Sequence, residues 1–490
     1  MTEFSEYFQE RKRKLEELKR KGIEPYPHHY SPTHTSKEIL EKFSELTSST
    51  KNISVAGRIM TIRGHGKATF AHLQDGAGKI QIYVREDTVG KSAYEVFKLF
   101  DISDIIGVEG PVFKTHTGEI TVEAKIITLL CKSLRPLPEK WHGLVDKETR
   151  YRQRYADLIM NPQVKDTFVI RSKIIRSIRH YLDELGFLEV ETPIIQPQYG
   201  GAFARPFITH HHALDLDLYL RISDELYLKR LIVGGFDKIY EFCKDFRNEG
   251  MDRDHNPEFT QLELYQAYAD YRDMMKLTEE LFCLVAQEVK QSTKIEYEGQ
   301  EIDLTPPWKR ISYFEAFKEY TGTDFTNLET KEIFEKGGKL GVETLDPNGS
   351  KGKLLEEIFG ELVEPKLIQP TFVIDYPVEH SPLAKKKRDN PNLVERFEPI
   401  ICGKELGNAF SELNDPLEQR ERFEQQMKLR QQGEIEIQPL DEDFLRALEY
   451  GMPPTGGLGL GLDRIVMLFA NVHSIRDVLF FPQMRPEILI

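Results

Sequence analysis

Cysteine is scarce: Cys131, Cys243, Cys283 and Cys402 are the only four in 490 residues, and no two form a C-x-x-C pair. That spacing excludes a zinc knuckle and argues against a disulfide-stapled secreted framework. Long apolar runs are missing too. The longest candidate, IVMLFANV from Ile465, falls well short of the roughly 18 residues that a membrane-spanning helix needs. Nor does the amino-terminal MTEFSEYFQERKRK contain the apolar core of a secretion signal, so a cytoplasmic location without membrane contact is expected. Phosphate loops of the usual forms are absent. GGLGLGLD places Leu462 where G-x-G-x-x-G needs its third glycine, and no G-x-x-x-x-G-K-[ST] occurs. A Rossmann or P-loop nucleotide site is thereby excluded. Positive charge is in deficit, with 66 Lys and Arg against 80 Asp and Glu, a net charge of −14. Such a chain cannot hold a polyanion by overall charge, and any nucleic-acid contact must be a local basic patch.

What is present is the composition of a folded protein, 40% hydrophobic and 30% charged. The length predicts about two to four domains. Residues 4–21 read as a short amphipathic helix closed by Gly22, and its basic runs (Arg11 to Lys14, Lys19 to Lys21) are diluted by glutamates, as on a solvated face. Between Ile53 and Ile127 the apolar period changes to two. Short strands with turn signals at Asp75-Gly76-Ala77-Gly78 and Thr117-Gly118 suggest a Greek-key barrel of the OB type in about five strands, with a sandwich as the competing arrangement. Pro136 and Pro138 then punctuate the chain. Ile170, Ile174, Ile178 and Leu182 recur at helical spacing until Gly186.

Three later segments carry chemistry. The first, Gly186-Phe187-Leu188-Glu189-Val190-Glu191-Thr192-Pro193, is by itself an ordinary helix-to-strand junction. The second runs from Phe246-Arg247-Asn248-Glu249 through a polar loop to His255-Asn256-Pro257-Glu258 and the strand up to Tyr265. Period two there puts Phe259, Gln261, Glu263 and Tyr265 on one face, an aromatic, an amide, a carboxylate and a phenol together. In the third, glycines alternate from Gly457 to Gly461 before Asp463 and Arg464 open an apolar helix. Alternate glycines admit another group close to a strand, and an arginine in a first helical turn opposes the dipole and calls for an anionic partner.

In this order the three segments resemble motifs 1, 2 and 3 of the class II aminoacyl-tRNA synthetases. The chain as a whole is similar to the bacterial-type lysyl-tRNA synthetases of class IIb. The likeness runs through AGRIMTIRGHGKATFAHLQD, LRPLPEKWHGLVDKETRYRQRY, ARPFITHHHALDLDLYLRI, FRNEGMDRDHNPEFTQLELYQAYADY, GKELGNAFSELND and ALEYGMPPTGGLGLGLDR. It implies an α+β protein: an amino-terminal OB-fold β-barrel and a class II synthetase catalytic domain with an antiparallel sheet flanked by helices. The implied layout is a helical extension at residues 1–50, an OB-fold anticodon-binding domain at 51–135, a linker at 136–160 and the catalytic domain at 161–490. A homodimer with motif 1 in its interface is implied as well.

The resemblance also implies a reaction and its residues. L-lysine and ATP give lysyl-adenylate and pyrophosphate, and the lysyl group passes to the 3′ end of tRNA(Lys). The attacking carboxylate is already ionised, so positioning and charge compensation suffice without a general base. Arg247 and Arg464 are the implied catalytic residues, with Arg247, Glu249, His255, Asn256, Phe259 and Arg464 binding ATP. Lysine would be held by Gly201, Glu225, Arg247, Glu263, Tyr265, Asn408, Phe410 and Glu412. Glu263 with Glu412 is the specific signal, since two carboxylates on one ammonium reject uncharged analogues. Mg2+ would accompany ATP on Glu398 and Glu405. Phe70 would stack on an anticodon base, with Gln81 and Glu119 as edge readers and Arg63-Gly64-His65-Gly66-Lys67 supplying local positive charge. Phe203, His212, the run Phe242-Cys243-Lys244 and the acidic loop from Met251 to Asp254 depart from the usual pattern without removing any of these groups. Two other readings remain at this point: an adenylate-forming enzyme with a protein acceptor, whose known relative lacks the OB domain, and a catalytically silent tRNA-binding paralogue.

Overall fold

The computed structural model describes residues 3–49, 51–138, 144–347, 349–431 and 439–486. Residues 139–143 of the LRPLPEKWHGLVDKETRYRQRY segment, within the expected linker, lie outside that range, as does the side chain of His65. The chain divides into two compact units, Met1–Val145 and Asp146–Ile490.

In the first unit the helix Glu3–Arg20 precedes strands β1 (Ile53–His65), β2 (Ala68–Gln74), β3 (Lys79–Arg85), β4 (Ile105–Gly110), β5 (Val112–Lys114), β6 (Ile120–Glu123) and β7 (Ile126–Cys131). Seven strands therefore replace the five expected, in the order β5-β6-β3-β2-β1-β4-β7. The long β1 curls the sheet, pairing β4 through Ile53 to Arg58 and β2 through Arg58 to His65. Its alternating apolar residues, among them Val55, Ile59, Ile82 and Val108, are fully buried. The first helix is less solvated than its charges suggest. Arg11 is buried and donates to the carbonyls of Arg135 (2.8 Å) and Ile102 (2.9 Å), while Lys14 pairs with Asp101 at 2.6 Å. Asp101 and the buried Asp104 also hold the buried Lys132, at 2.6 and 3.0 Å.

The second unit is built on a sheet whose main path is β8 (Leu188–Glu189), β9 (Lys238–Phe246), β10 (Glu258–Ala267), β11 (Lys309–Ser312), β12 (Thr371–Ile374), β13 (Arg396–Ile401), β14 (Gly407–Ser411) and β15 (Thr455–Gly461). Their order is β11-β12-β13-β14-β15-β10-β9-β8, with the short strand Lys404–Glu405 folded back on β13. The sheet is antiparallel from β12 to β9. Its outermost pairs, β11 with β12 and β9 with β8, are parallel, so the expected antiparallel sheet is mixed at both edges.

The period of two sorts side chains between the faces. Leu262 and Leu264 of β10 and Leu458 and Leu460 of β15 point into a core filled by the helices Val164–Glu184, Tyr271–Lys290 and Leu462–Ala470. Each such burial is worth roughly 1.5–3 kcal/mol. The intervening residues are thereby forced to the opposite face, which is left open. No helix among the described residues is long and apolar enough to cross a membrane.

Removing Lys132 would leave the buried Asp104 without a cation and Asp101 with Lys14 alone. Lys132→Met is expected to destabilise the first unit by about 3–5 kcal/mol. Hydrogen exchange across β1 to β7 checks this, and wild-type protection would refute it.

Candidate active site

The open face of the second sheet forms the floor of a cleft of about 830 Å³. Glu263 and Tyr265 rise from β10, Asn408 and Phe410 from β14, and Glu412 follows that strand. Between β10 and β14 runs β15, whose register sets Gly459 beside Glu263 and Asn408, and Gly457 beside Tyr265 and Phe410. The glycines make room. A Cβ on Gly457 would lie 1.9 Å from Oε1 of Glu412 and 2.7 Å from the Tyr265 ring.

Glu263 and Glu412, far apart in sequence, thus share one cavity. The Tyr265 hydroxyl donates to Oε2 of Glu263 at 2.9 Å, and the Ser223 hydroxyl donates to Oε1 at 3.3 Å. Glu225 opens the helix Glu225–Val233, and Lys229 one turn later donates to its Oε1 at 2.5 Å; the same ammonium touches Oε2 of Glu412. Oε1 of Glu412 is buried with no hydrogen-bond partner. Burial first, then the charges of Glu225 and Asp245, push Glu263 up to about 8. Burial likewise raises Glu412 well above the carboxylate range, against the pull of Lys229. These shifts mark a cavity short of positive charge. Gly201, at φ +88°, closes against this cluster: a Cβ there would meet Ser223 Oγ at 2.7 Å.

Towards the other end the cleft turns cationic. Arg247 follows β9 and lies over the Phe259 ring at 5.0 Å, with its Nε buried and unpartnered. The ring expected to stack on a base is therefore covered by a guanidinium in this structure. Arg464, in the first turn of Leu462–Ala470, donates to the Glu405 carbonyl at 2.7 Å and approaches Nε2 of His255 at 3.2 Å. Asp252 sits 2.8 Å from Nδ1 of that histidine, which assigns the proton to Nδ1 and leaves Nε2 to accept from Arg464. The acidic loop is thus partly accounted for, since Asp252 orders His255 and Asp254 pairs with Lys404. Glu249 is exposed at the rim, and Asn256 is buried, its amide donating to the Glu258 carbonyl at 2.5 Å.

Glu398 and Glu405 also line the cleft, and Glu364, which the sequence reading missed, joins them. Glu398 accepts from Arg396 at 2.5 Å and from the Tyr376 hydroxyl at 2.6 Å. Burial outweighs Arg396 and lifts Glu398 to about 7; Glu364 is raised to about 7 by burial and then by Glu405. Among the described residues, the one place where three acid or thiol ligand atoms come within 4.8 Å of one another is Asp224, Cys243 and Asp245. The Cys243 thiol lies 3.5 Å from an oxygen of each aspartate and Arg221 3.4 Å from Asp245, while Oδ2 of Asp224 and Oδ1 of Asp245 have no hydrogen-bond partner.

In the first unit, the expected base-stacking residue Phe70 is half-buried on β2 and stacks on Tyr83 at 4.3 Å, with Phe113 6.1 Å beyond. The Gln81 amide donates to Glu119 at 2.6 Å and its oxygen accepts from Thr121 at 2.8 Å; His72 contacts Glu119 at 2.8 Å. Phe70, Gln81 and Glu119 thus share one surface. Tyr83, Phe113 and His72 were missed, although the alternation in Lys79–Arg85 already put Tyr83 on the face of Gln81.

Comparison with known proteins agrees with this arrangement. The family model of class II tRNA synthetases (D, K and N) matches residues 146–485, and that of the OB-fold nucleic acid binding domain matches residues 53–130. A lysine–tRNA ligase of Pelotomaculum thermopropionicum is 59% identical over 99% of this chain and 96% of its own length. Those of Carboxydothermus hydrogenoformans and Moorella thermoacetica are each 57% identical, over 99% and 97% of this chain and 99% and 96% of their own.

The glycine ladder gives a contrast in stability. Gly457→Ala forces a methyl against Glu412 and should cost about 1–3 kcal/mol. Gly459→Ala, whose Cβ would meet Glu263 at an ordinary 3.7 Å, should cost much less. Denaturant unfolding of the two variants checks this, and equal midpoints would contradict it.

Proposed function

From the premise that this chain belongs to the class II tRNA synthetases of the D, K and N group, we infer that it is a lysine–tRNA ligase. It joins L-lysine to ATP as lysyl-adenylate with release of pyrophosphate, then passes the lysyl group to the 3′ end of tRNA(Lys). The observation that carries the choice of lysine is the pairing of Glu263 and Glu412 in one cavity short of positive charge, opposite Arg247 and Arg464. An amide or a carboxylate side chain would leave those acids buried without a partner, a penalty larger than any contact it could make.

In this reading the substrate ammonium at the side-chain end meets Glu412 and Glu263, with Tyr265 fixing the latter and Asn408 and Phe410 forming the walls. Gly201 and Glu225 take the α-amino group. The fork of Arg247 spans the substrate carboxylate and the α-phosphate, which offsets the repulsion between the two anions. Arg464, steered by His255, faces the outer phosphates, while Glu249, Asn256 and Phe259 frame the adenine. Pentavalent charge at the α-phosphate then develops against a preset guanidinium, and no residue has to move a proton. The hard oxygen donors Glu398 and Glu405, with Glu364 beside them, suit Mg2+. Bound there with ATP, the ion would screen the polyphosphate; the raised Glu398 and Glu364 fit a place that lacks a cation.

The Phe70, Gln81 and Glu119 surface serves the anticodon, in a 51–135 domain ahead of the linker at 136–160 and the catalytic domain at 161–490. Exposed apolar Leu188, Ile194 and Ile195 in and around motif 1 support a homodimer. The OB unit separates the chain from the OB-lacking, protein-modifying relative, and the full set of cationic and acidic site residues speaks against a silent paralogue.

ATP–pyrophosphate exchange with each amino acid in turn tests this reading. Exchange should depend on lysine, and purified tRNA(Lys) should become charged; exchange with aspartate instead would overturn it. Glu263→Gln should raise the KM for lysine roughly 10- to 100-fold while leaving that for ATP within about twofold; equal losses would contradict the assignment. Glu263 faces Glu225, Asp245, Tyr265 and Lys229 and sits near 8 in the free pocket, so it is protonated at lower pH and must ionise to pair with an ammonium. The KM for lysine should therefore fall as pH rises from about 6.5 through 8. A flat profile in wild type, or an unchanged slope in Glu263→Gln, would exclude this carboxylate as the titrating group.

A further inference from the structure

Lys229 is fully buried, reaches no solvent and belongs to none of the expected binding sets, yet its ammonium touches two of the three pocket acids, Glu225 at 2.5 Å and Glu412. Its Nζ also lies 5.3 Å over the Phe410 ring, one wall of the cavity. Charge in a cavity this closed must be locally balanced, because each uncompensated ion carries a desolvation penalty of several kcal/mol. Three acids (Glu225, Glu263, Glu412) against one internal ammonium leave two negative charges unanswered. Lysine brings two ammonium groups, and its carboxylate has Arg247. Behind Glu263, burial raises Asp224 well above the carboxylate range and so keeps it neutral, and Asp245 has Arg221 at 3.4 Å; Arg396, which also acts on Glu225, is paired with Glu398.

We propose that Lys229 is a built-in counter-ion that fixes the pocket's charge at the value a diammonium substrate completes, and that its grip on one oxygen of Glu412 aims the other, unpartnered oxygen at the substrate's distal ammonium. It is a positioning residue, acting through Glu225 and Glu412, and the proposal rests on the reading of the cleft as a lysine site. In the empty pocket the two surplus charges are covered by protons, since Glu263 and Glu412 are both raised; lysine binding displaces them. The burial that opposes the charge of Lys229 itself is outweighed by its two carboxylate partners, which keep it protonated.

The test is calorimetric binding of L-lysine to the full chain in buffers of different ionisation enthalpy, which counts the protons released, with exchange kinetics in parallel. Wild type should release protons near neutral pH. Lys229→Met adds one acid that the two ammonium groups of lysine cannot answer; that acid keeps its proton in both states, so the count should stay at the wild-type value while the KM for lysine rises roughly 10- to 100-fold, with the KM for ATP unchanged. Lys229→Arg keeps the charge and should keep the wild-type count even where fit is lost. Glu225→Gln, which removes one acid, should lower the count by about one, and it tests the same ledger should Lys229→Met not fold. A wild-type proton count in Glu225→Gln, an altered count in Lys229→Met, or lysine and ATP affinities falling together in Lys229→Met, would reduce Lys229 to a packing residue. Failure of wild type to bind lysine at all would instead overturn the functional reading beneath it.

Discussion

A carboxylate cannot stay ionised in a closed cavity unless a cation answers it, and the organisation of the second unit follows from that constraint. Glu263, Glu225 and Glu412 arrive from different elements, and one lysine from within the fold meets only part of their charge. The cavity is consequently selective for what it lacks. Apolar or acidic side chains could be accommodated in volume, but not in charge, and discrimination by charge is worth far more than discrimination by a methylene. The opposite end of the cleft has the reverse imbalance. Acidic partners are few there: Arg247 keeps a buried Nε free, and Arg464 rests on the Glu405 carbonyl and Nε2 of His255, with the Glu405 carboxylate at 3.7 Å. A ligand with ammonium groups at one end and phosphates at the other completes both halves together.

Such a cleft needs a floor without side chains, and β15 supplies it. Its register places Gly459 and Gly457 opposite Glu263 and Tyr265, so that carboxylates from the neighbouring strands occupy volume that a Cβ would fill. The leucines between the glycines point the other way and anchor the strand in the core. One strand therefore serves stability on one face and recognition on the other, with the two tasks separated by the pleat alone.

The sequence made this half of the site legible because its signals are local. Alternation in PEFTQLELY placed Phe259, Gln261, Glu263 and Tyr265 on one face, and the glycine repeat marked a close approach; both are consequences of a two-residue period. The convergence of Glu263 with Glu412 came from family likeness, since no local rule joins residues so far apart. Lys229 escaped notice for the opposite reason. A lysine inside ELYLKRLIV reads as the polar face of an amphipathic helix, and only the position of Glu412 in space turns it into a buried partner. Glu364, in a short 3-10 turn, and His72, which meets Glu119 across the sheet, are likewise defined by neighbours distant in sequence. The extra strands of the first sheet and the parallel edges of the second were missed because strands such as Val112–Lys114 and Leu188–Glu189 are too short to establish a period.

The net charge of −14 looks at first like an argument against any RNA substrate. The first unit removes the difficulty by the kind of contact it offers. Phe70, Tyr83 and Phe113 form an aromatic face, and stacking on it depends little on long-range potential. Beside them the Gln81 amide is held on both sides: its nitrogen donates to Glu119 and its oxygen accepts from Thr121, so the amide cannot flip. A locked amide still offers one N–H and one lone pair in fixed order, which would tell apart two bases that exchange donor for acceptor on their edges. Recognition of this kind relies on geometry and hydrogen bonding within a few ångströms, a range over which the overall charge of the chain is screened and decides little.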